Sequence, residues 1–336
     1  MNLVTGATGL VGSHLLLELL KQEQKVIGTY RNKEKIKHVK QIFTYYNCED
    51  LFSKIQWKPL DLLDVQSCLE VLEDVENIYH CAAKVSFHSK YRDELFKTNI
   101  EGTANLVNAA LTKKEINFCY VSSVTALGSA GINQLIDENA PWVNKINPTN
   151  YSISKYYAEK EVWRGMQEGL NAIIVNPSTI IGPGNWETGS PALFNRVYNG
   201  LKYYTNGGTG FVDVRDVVKI MVELIQKKAF ENAFILVGEN KPFKWLFDKI
   251  AEALMVDKPK KLANNFEVNL AWRVEVLRSF LTNKDPVITK ESAKIALETD
   301  FYDNSKIKNL LNYSFIPIEA SIKHTAKCFL MHQTDN

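Results

Sequence analysis

A phenol and an ammonium group lie four residues apart in the segment Tyr151-Ser152-Ile153-Ser154-Lys155. Residues four apart on an α-helix share one face, so Tyr151 and Lys155 can address the same cavity. Hydride transfer to a carbonyl needs an acid that protonates the developing alkoxide, and the reverse reaction needs a base. The spacing therefore predicts carbonyl reduction or alcohol oxidation with tyrosine as the acid or base.

Tyrosine alone is poorly matched to this role at neutral pH, because its ordinary pKa is near ~10. A unit charge at about 4 Å is worth roughly 4 kcal/mol at an effective dielectric of about 20, or about three pKa units. We therefore expect Lys155 to lower the pKa of Tyr151. The alternative for the same spacing is a core tyrosine and a solvated lysine on an amphipathic helix.

A serine at the end of an apolar run completes the predicted catalytic set. Ser123 ends the strand-like segment Val121-Ser122-Ser123 and can orient the substrate oxygen by a hydrogen bond. Ser122 is the alternative at this position.

Three glycines stand where the first apolar run meets the first helical pattern, in Thr5-Gly6-Ala7-Thr8-Gly9-Leu10-Val11-Gly12. Gly6 suits a tight turn, Gly9 lets backbone N–H groups approach a pyrophosphate, and Gly12 lets the helix pack closely. An ordinary turn is the alternative. The predicted dinucleotide contacts are Gly6, Thr8, Gly9, Leu10, Val11 and Gly12.

The end of the second predicted strand indicates which dinucleotide binds. An acidic residue there binds ribose hydroxyls, whereas a nearby arginine accommodates a 2′-phosphate. The chain has Arg31 at this point, followed by Lys33 and Lys35, and no acid. We expect NADP(H) in preference to NAD(H), with Arg31 pairing with the phosphate through two donors and Lys35 nearby. An exposed arginine in a basic turn is the alternative.

Short apolar runs alternate with amphipathic stretches from residue 1, which predicts βαβ units and a doubly wound α/β fold with a parallel sheet. We expect a nucleotide-binding domain over residues 1–181, with its sheet completed by parts of 205–240, and a smaller substrate lobe mainly over 182–336. The predicted strands are 1–5, 25–30, 55–61, 77–82, 117–122, 172–176 and 233–237, and the main helices are 12–21, 95–112 and 151–169.

Composition restricts the possible partners. The net charge is +2 and no long basic run occurs, which excludes the electrostatic signature of nucleic-acid binding. Five cysteines without a CxxC pair predict a reduced cytoplasmic protein with no metal site. No signal peptide or membrane span is expected, because glycines and charges interrupt every apolar run. The segment 268–281 has near-helical apolar spacing; we expect it to pack on the lobe or cover the site, with a membrane-surface helix as the alternative.

Several further motifs resemble those of one family. Tyr79–Ala83, Asn99–Thr103, the run from Asn176 to Gly184, and Gly210–Val217 accompany the GxxGxxG spacing. Together they resemble the extended short-chain dehydrogenase/reductases over roughly residues 1–325. The resemblance implies a Rossmann fold, a nicotinamide cofactor and a homodimer.

The resemblance also implies roles for individual residues. Lys155 would bind the nicotinamide ribose, and counting back from Gly128 favours Ser123 over Ser122. Asn99 would hold a water in a proton relay or serve only as a structural helix residue. Asp61 would contact the adenine, although a cap of the following helix would look similar. The other implied cofactor contacts are Leu62, Ala82, Ala83, Lys84, Pro177 and Ser178.

The candidate substrate residues lean apolar and aromatic: Val85, Phe87, Leu127, Phe194 and Tyr198. This composition favours relatives similar to dihydroflavonol reductases and 3β-hydroxysteroid dehydrogenases, which act on free carbonyl compounds. A sugar-nucleotide epimerase or dehydratase is the first alternative. A nonenzymatic NADP-binding regulator on the same fold is the second.

Overall fold

The computed structural model describes residues 1–131, 134–145, 148–282, 285–286 and 288–334, apart from the side chains of Asn144, Phe280 and Leu281. The strands are β1 Asn2–Thr5, β2 Val26–Tyr30, β3 Gln56–Pro59, β4 Asn77–His80, β5 Asn117–Val121, β6 Asn171–Pro177, β7 Thr179–Ile181, β8 Tyr203–Tyr204, β9 Gly208–Asp213, β10 Asn232–Leu236, β11 Glu239–Pro242 and β12 Lys261–Leu262. The α-helices are α1 Leu10–Lys21, α2 Ile36–Tyr45, α3 Glu49–Phe52, α4 Val65–Glu70, α5 Arg92–Phe96, α6 Gly102–Leu111, α7 Asn150–Gln167, α8 Ala192–Tyr198, α9 Val214–Gln226, α10 Phe243–Leu254, α11 Asn265–Thr282, α12 Lys290–Ile295, α13 Ser305–Leu311 and α14 Ile318–Thr334.

Seven strands form one parallel sheet in the order β10-β6-β5-β4-β1-β2-β3. The strand order reverses between β1 and β4, which is the switch point where doubly wound folds bind ligands. All carboxyl ends of these strands lie at one edge, so the loops that follow them meet there. The predicted doubly wound α/β fold is confirmed.

Alternate residues of the strands pack on opposite faces of this sheet. Leu3 belongs to a cluster with α4, α6 and α7, whereas its neighbour Val4 belongs to a cluster with α1 and α9. Both side chains are fully buried. A strand that is buried on both faces has a nearly continuous run of apolar residues. This explains why the apolar runs of the sequence predicted these strands.

A second, three-stranded sheet, in the order β11-β9-β7, follows the main sheet along the chain through β7. The strands β7 and β9 pair in parallel, and β11 pairs antiparallel with β9. A separate core of α8, α10 and α14 residues, including Phe194, Leu246 and Phe329, packs beside it. Strand β10 returns to the main sheet and pairs with β6.

The predicted helix 95–112 is not a continuous α-helix. A π-helical segment, Lys97–Glu101, separates α5 from α6. Thr103 donates to the carbonyl of Asn99 at 2.6 Å, while the Asn99 side chain bonds to Lys84 and Ser154. Side-chain bonds of this kind compete with regular helical hydrogen bonds, and the apolar pattern does not report them.

Helix α11 covers the segment 268–281 and contacts α12. Its Phe266, Leu270, Val274 and Leu277 side chains are at least half exposed. Leu281, the last apolar residue of this segment, is not among the described side chains. Among the described residues, no helix has the length and apolar character that would let it cross a membrane.

Candidate active site

The glycine loop between β1 and α1 forms a cradle that larger residues would fill. Gly6 has a φ of +61°, and a Cβ there would lie 2.6 Å from the backbone of Ala82. A Cβ on Gly12 would lie 2.4 Å from the carbonyl oxygen of Gly6. No side chain caps the first turn of α1, so its N–H groups remain available to an anion. The cradle therefore fits the pyrophosphate of a dinucleotide.

A cleft of about 1850 Å³ follows the carboxyl edge of the main sheet and extends into the C-terminal lobe. This volume exceeds that of a typical small-ligand pocket and leaves room for a second molecule beside a dinucleotide. It brings together twenty residues predicted from the sequence: Gly6, Thr8, Gly9, Leu10, Val11, Gly12, Arg31, Lys35, Asp61, Leu62, Ala82, Ala83, Lys84, Val85, Phe87, Ser123, Tyr151, Lys155, Pro177 and Ser178.

Tyr151 and Ser123 form the candidate acid–base pair. Tyr151 lies in the first turn of α7, and Ser123 follows β5. Burial raises the pKa of Tyr151 to about 12, while a hydrogen bond with Ser123 opposes the shift. The expected lowering of this pKa is therefore wrong in direction, because burial outweighs the hydrogen bond with Ser123. The phenol therefore holds its proton across the neutral range, and its raised pKa makes it a weaker acid than an exposed tyrosine.

Lys155 is almost fully buried behind this pair. Its Nζ donates to the phenol oxygen of Tyr120 at 2.8 Å and to the carbonyl oxygen of Val121 at 2.7 Å. Burial lowers the pKa of Lys155 to about 7, and the charge of Glu159 opposes that shift. Both partners of the lysine come from β5, so the strand that leads to Ser123 also fixes the Lys155 side chain.

Glu159 is a site residue that the sequence analysis missed. Its Oε2 accepts hydrogen bonds from Ser122 Oγ at 2.7 Å and from Asn176 Nδ2 at 2.9 Å, and Trp163 Nε1 donates to Oε1 at 3.3 Å. Burial raises the pKa of this carboxyl, and these donors lower it. The carboxylate thus ties α7 to the ends of β5 and β6. Its position four residues after Lys155 was the available signal.

Asn99 is buried and does not line the cleft. Its Oδ1 accepts from the backbone N–H of Lys84 at 2.7 Å, and its Nδ2 donates to the Lys84 carbonyl at 3.0 Å and to Ser154 Oγ at 2.9 Å. The amide oxygen and the amide nitrogen of Asn99 are thus both hydrogen-bonded within the protein. Of the two predicted roles, the geometry matches the structural one, since it holds the loop after β4 against α7.

The adenosine end of the cleft contains Arg31, Lys35 and Asp61. Arg31 and Lys35 are exposed. Asp61 accepts from the N–H of Leu63 at 3.0 Å, whereas the cap of α4 is Asp64. The predicted alternative of Asp61 as a helix cap is therefore wrong, and its carboxylate stays at the wall of the cleft.

The predicted substrate residues divide into two groups. Val85 and Phe87 line the cleft, and the Phe87 ring meets Tyr151 edge-on at 5.8 Å between centroids. Leu127 and Phe194 are buried in the core, and Tyr198 packs on Phe329, so these three do not line it. Apolar character alone does not distinguish a core residue from a pocket residue. Arg196, Lys145 and Thr289 do line the cleft and were not predicted.

Within the described parts of the chain, no three His, Cys, Asp or Glu side chains are grouped to hold a metal ion. The switch-point cleft and the glycine cradle place the chain in the class of dinucleotide-binding α/β proteins. Residues 2–238 match the model of the NAD dependent epimerase/dehydratase family. The chain belongs to this family, the extended branch of the short-chain dehydrogenase/reductases, and a nicotinamide cofactor is supported accordingly.

Two relatives illustrate the match in sequence. A Synechocystis sp. protein, provisionally named a dihydroflavonol 4-reductase, is 27% identical over 341 residues, which cover 98% of this chain and 94% of the relative. Sterol demethylase protein B of Methylococcus capsulatus is 30% identical over 245 residues, covering 71% of this chain and 70% of the relative.

Solved structures give the same fold. The structure of gox2253 has a TM-score of 0.79 and 26% identity, covering 99% of this chain and 98% of that one. Gre2 of Candida albicans in complex with NADPH has a TM-score of 0.73 and 23% identity, covering 98% of each chain. At that identity the second likeness shows the fold alone.

Proposed function

We propose that the protein is an NADP(H)-dependent oxidoreductase that interconverts a carbonyl and an alcohol on a small, largely apolar substrate. The observation that carries this proposal is that Tyr151 and Ser123 line the cleft together, close enough for Ser123 to act on the pKa of the phenol. This pair lies in the wall of the same cleft that contains the glycine cradle. An acid, an oxyanion donor and a dinucleotide cradle thus face one space.

The nicotinamide, when bound, supplies the hydride that reduces the carbonyl carbon. Ser123 donates a hydrogen bond to the substrate oxygen and fixes its direction. Tyr151, which is protonated at neutral pH, gives its phenolic proton to the oxygen as negative charge develops, because the alkoxide is the stronger base. Lys155, fixed by β5, provides a donor for the cofactor ribose.

The proposed preference for NADP(H) depends on the adenosine end of the cleft. Arg31 and Lys35 line this end, directly after β2, at a point where NAD sites have an acid. A 2′-phosphate would bring the negative charge that these two side chains complement. The same feature argues against an epimerase that retains NAD.

The first test identifies the nucleotide that the purified protein carries, by denaturation and mass spectrometry before and after dialysis. We expect NADP(H) that dialyses away and rebinds in preference to NAD(H), since a reductase releases its cofactor each cycle. NAD(H) retained through dialysis would contradict the proposal and favour an epimerase or dehydratase.

The second test separates an enzyme from a regulator. Tyr151→Phe keeps the ring and its contact with Phe87 but removes the acid. In an aldehyde and ketone screen monitored by NADPH consumption, turnover should fall by roughly 10²–10⁴-fold. The dissociation constant for NADPH should stay within about twofold of the wild-type value. Unchanged turnover would rule out Tyr151 as the acid.

A further inference from the structure

The substrate side of the cleft contains a cationic side chain without a protein partner. Arg196 lies on α8, where Phe194 and Val197 are buried in the core and Leu193 lines the cleft beside Arg196. Among the described residues, Arg196 has no hydrogen bond, ion pair or ring contact. Partial burial lowers the pKa of its guanidinium, and no other group contributes. An arginine nevertheless stays charged in proteins.

The other cations on this side of the cleft are all engaged. Lys84 pairs with Glu94, Lys294 pairs with Glu298 at 3.3 Å, Lys145 donates to the carbonyl of Leu127 at 3.1 Å, and Lys155 donates to Tyr120. Arg31 and Lys35 follow β2, where the proposed cofactor uses them. Arg196 is therefore the cation left for a second molecule in the described part of the cleft.

The Arg196 side chain is exposed on the wall of the cleft, so a ligand in the cleft can reach its guanidinium. The planar guanidinium fork matches a carboxylate or phosphate through two parallel hydrogen bonds. Leu193, on the same helix, and Phe243, at the start of α10, line the same cleft and offer apolar surface. These features suit a ligand with an apolar body and one acidic end.

We propose that Arg196 binds an anionic group of the substrate, a carboxylate or a phosphate, so that the substrate is an apolar carbonyl compound with one acidic end. The proposal rests on the proposed reductase function, because it assigns the second molecule in the cleft as the carbonyl compound. Arg196 is thereby a specificity-determining residue.

The experiment compares three small aldehydes that differ in charge: 4-formylbenzoate, 4-formylphenyl phosphate and the neutral 4-formylbenzamide. Their dissociation constants are measured by calorimetry on the full chain saturated with NADP⁺, which carries no hydride to transfer. We expect at least one anion to bind tenfold or more tightly than the amide. Arg196→Ala should abolish this preference, and Arg196→Lys should keep part of it.

The control is Arg273→Ala, which removes an exposed arginine of α11 outside the cleft and should leave all three constants unchanged. Equal binding of the anions and the amide to the wild type, or a preference that survives Arg196→Ala, overturns the proposal. Weaker NADPH binding by Arg196→Ala, with no change for the aldehydes, would assign the arginine to the cofactor instead. An intact anion preference without any NADPH consumption would refute the proposed reaction but not the anion site.

Discussion

At the residue scale, the position of the candidate site residues in the cleft could be predicted from sequence, but their protonation could not. The spacing of Tyr151 and Lys155 places both on the cleft side of α7. The sign of the pKa shift at Tyr151 depends on burial, which sequence spacing does not report. The partner of Lys155, Tyr120, lies in another element, so only the folded chain brings the two together.

Lys155 should make stability depend on pH. Its pKa falls from 10.5 to about 7 on burial, so between these values the unfolded chain binds more protons than the folded one. The free energy of unfolding contributed by this group therefore rises with pH through that window. In Lys155→Met this contribution to the pH dependence is absent. The Tm difference, variant minus wild type, should therefore be several degrees more positive at pH 6.5 than at pH 9.5.

Lys160→Met, on the exposed face of the same helix, is the control and should give the same Tm difference at both pH values. Scanning calorimetry of the three proteins measures the effect without any substrate. A Tm difference for Lys155→Met that does not change with pH would show that the lysine keeps its ordinary pKa in the folded protein.

Arg31 should set the cofactor preference. Arg31→Ala removes the proposed 2′-phosphate partner, and the affinity for NADPH should fall by roughly 10–100-fold, since hydrogen bonds to charged groups are worth about 1.5–3 kcal/mol. The affinity for NADH should change little. Lys33→Ala, two residues on and outside the lining of the cleft, is the matched control. Equal losses for both nucleotides on fluorescence titration would place Arg31 elsewhere in the site.

At the element scale, the alternation of apolar and amphipathic stretches located the strands to within about two residues, because strands buried on both faces are continuous apolar runs. The observed β1, β2 and β5 fall inside the predicted ranges. The sequence did not indicate the π-helical segment or the small sheet of β7, β9 and β11. Both depend on contacts between distant residues, such as Asn99 with Ser154.

Gly6, in the β1–α1 connection, and Gly200 both have a positive φ, but only Gly6 lies close to other backbone atoms. Alanine variants of the two therefore separate the cost of backbone strain from the cost of a steric clash. Gly6→Ala would bring a Cβ to 2.6 Å from Ala82, whereas nothing lies within 4 Å of a Cβ at Gly200. Both variants incur the cost of a positive φ, about 1–2 kcal/mol. Gly6→Ala should be destabilised further on urea unfolding and should lose dinucleotide binding. Similar stabilities for Gly6→Ala and Gly200→Ala would show that the loop relaxes around a Cβ.

At the scale of the whole molecule, buried carboxylates join the last part of the chain to the nucleotide-binding part. Asp216, at the start of α9, accepts from the phenol of Tyr313 and the N–H of Ile316, each at 2.9 Å. Asp213, at the end of β9, accepts from Arg215 at 2.9 Å and from Ser321 on α14. The division of the chain into two domains at residue 181 remains a prediction. These hydrogen bonds, and the pairing of β10 with β6 in the main sheet, connect the residues on the two sides of that division.

The connection predicts that the chain unfolds as one unit. Asp216→Ala leaves the buried donors of Tyr313 and Ile316 without acceptors, which should lower the free energy of unfolding by about 3 kcal/mol. Because the main sheet and the three-stranded sheet each pair a strand from residues 1–181 with a later strand, circular dichroism and tryptophan fluorescence should still report one coincident transition, shifted to lower temperature. Asp257→Ala, at a fully solvated carboxylate, should leave that temperature unchanged. An early separate transition in Asp216→Ala would instead mean that the C-terminal lobe unfolds independently of the nucleotide-binding domain.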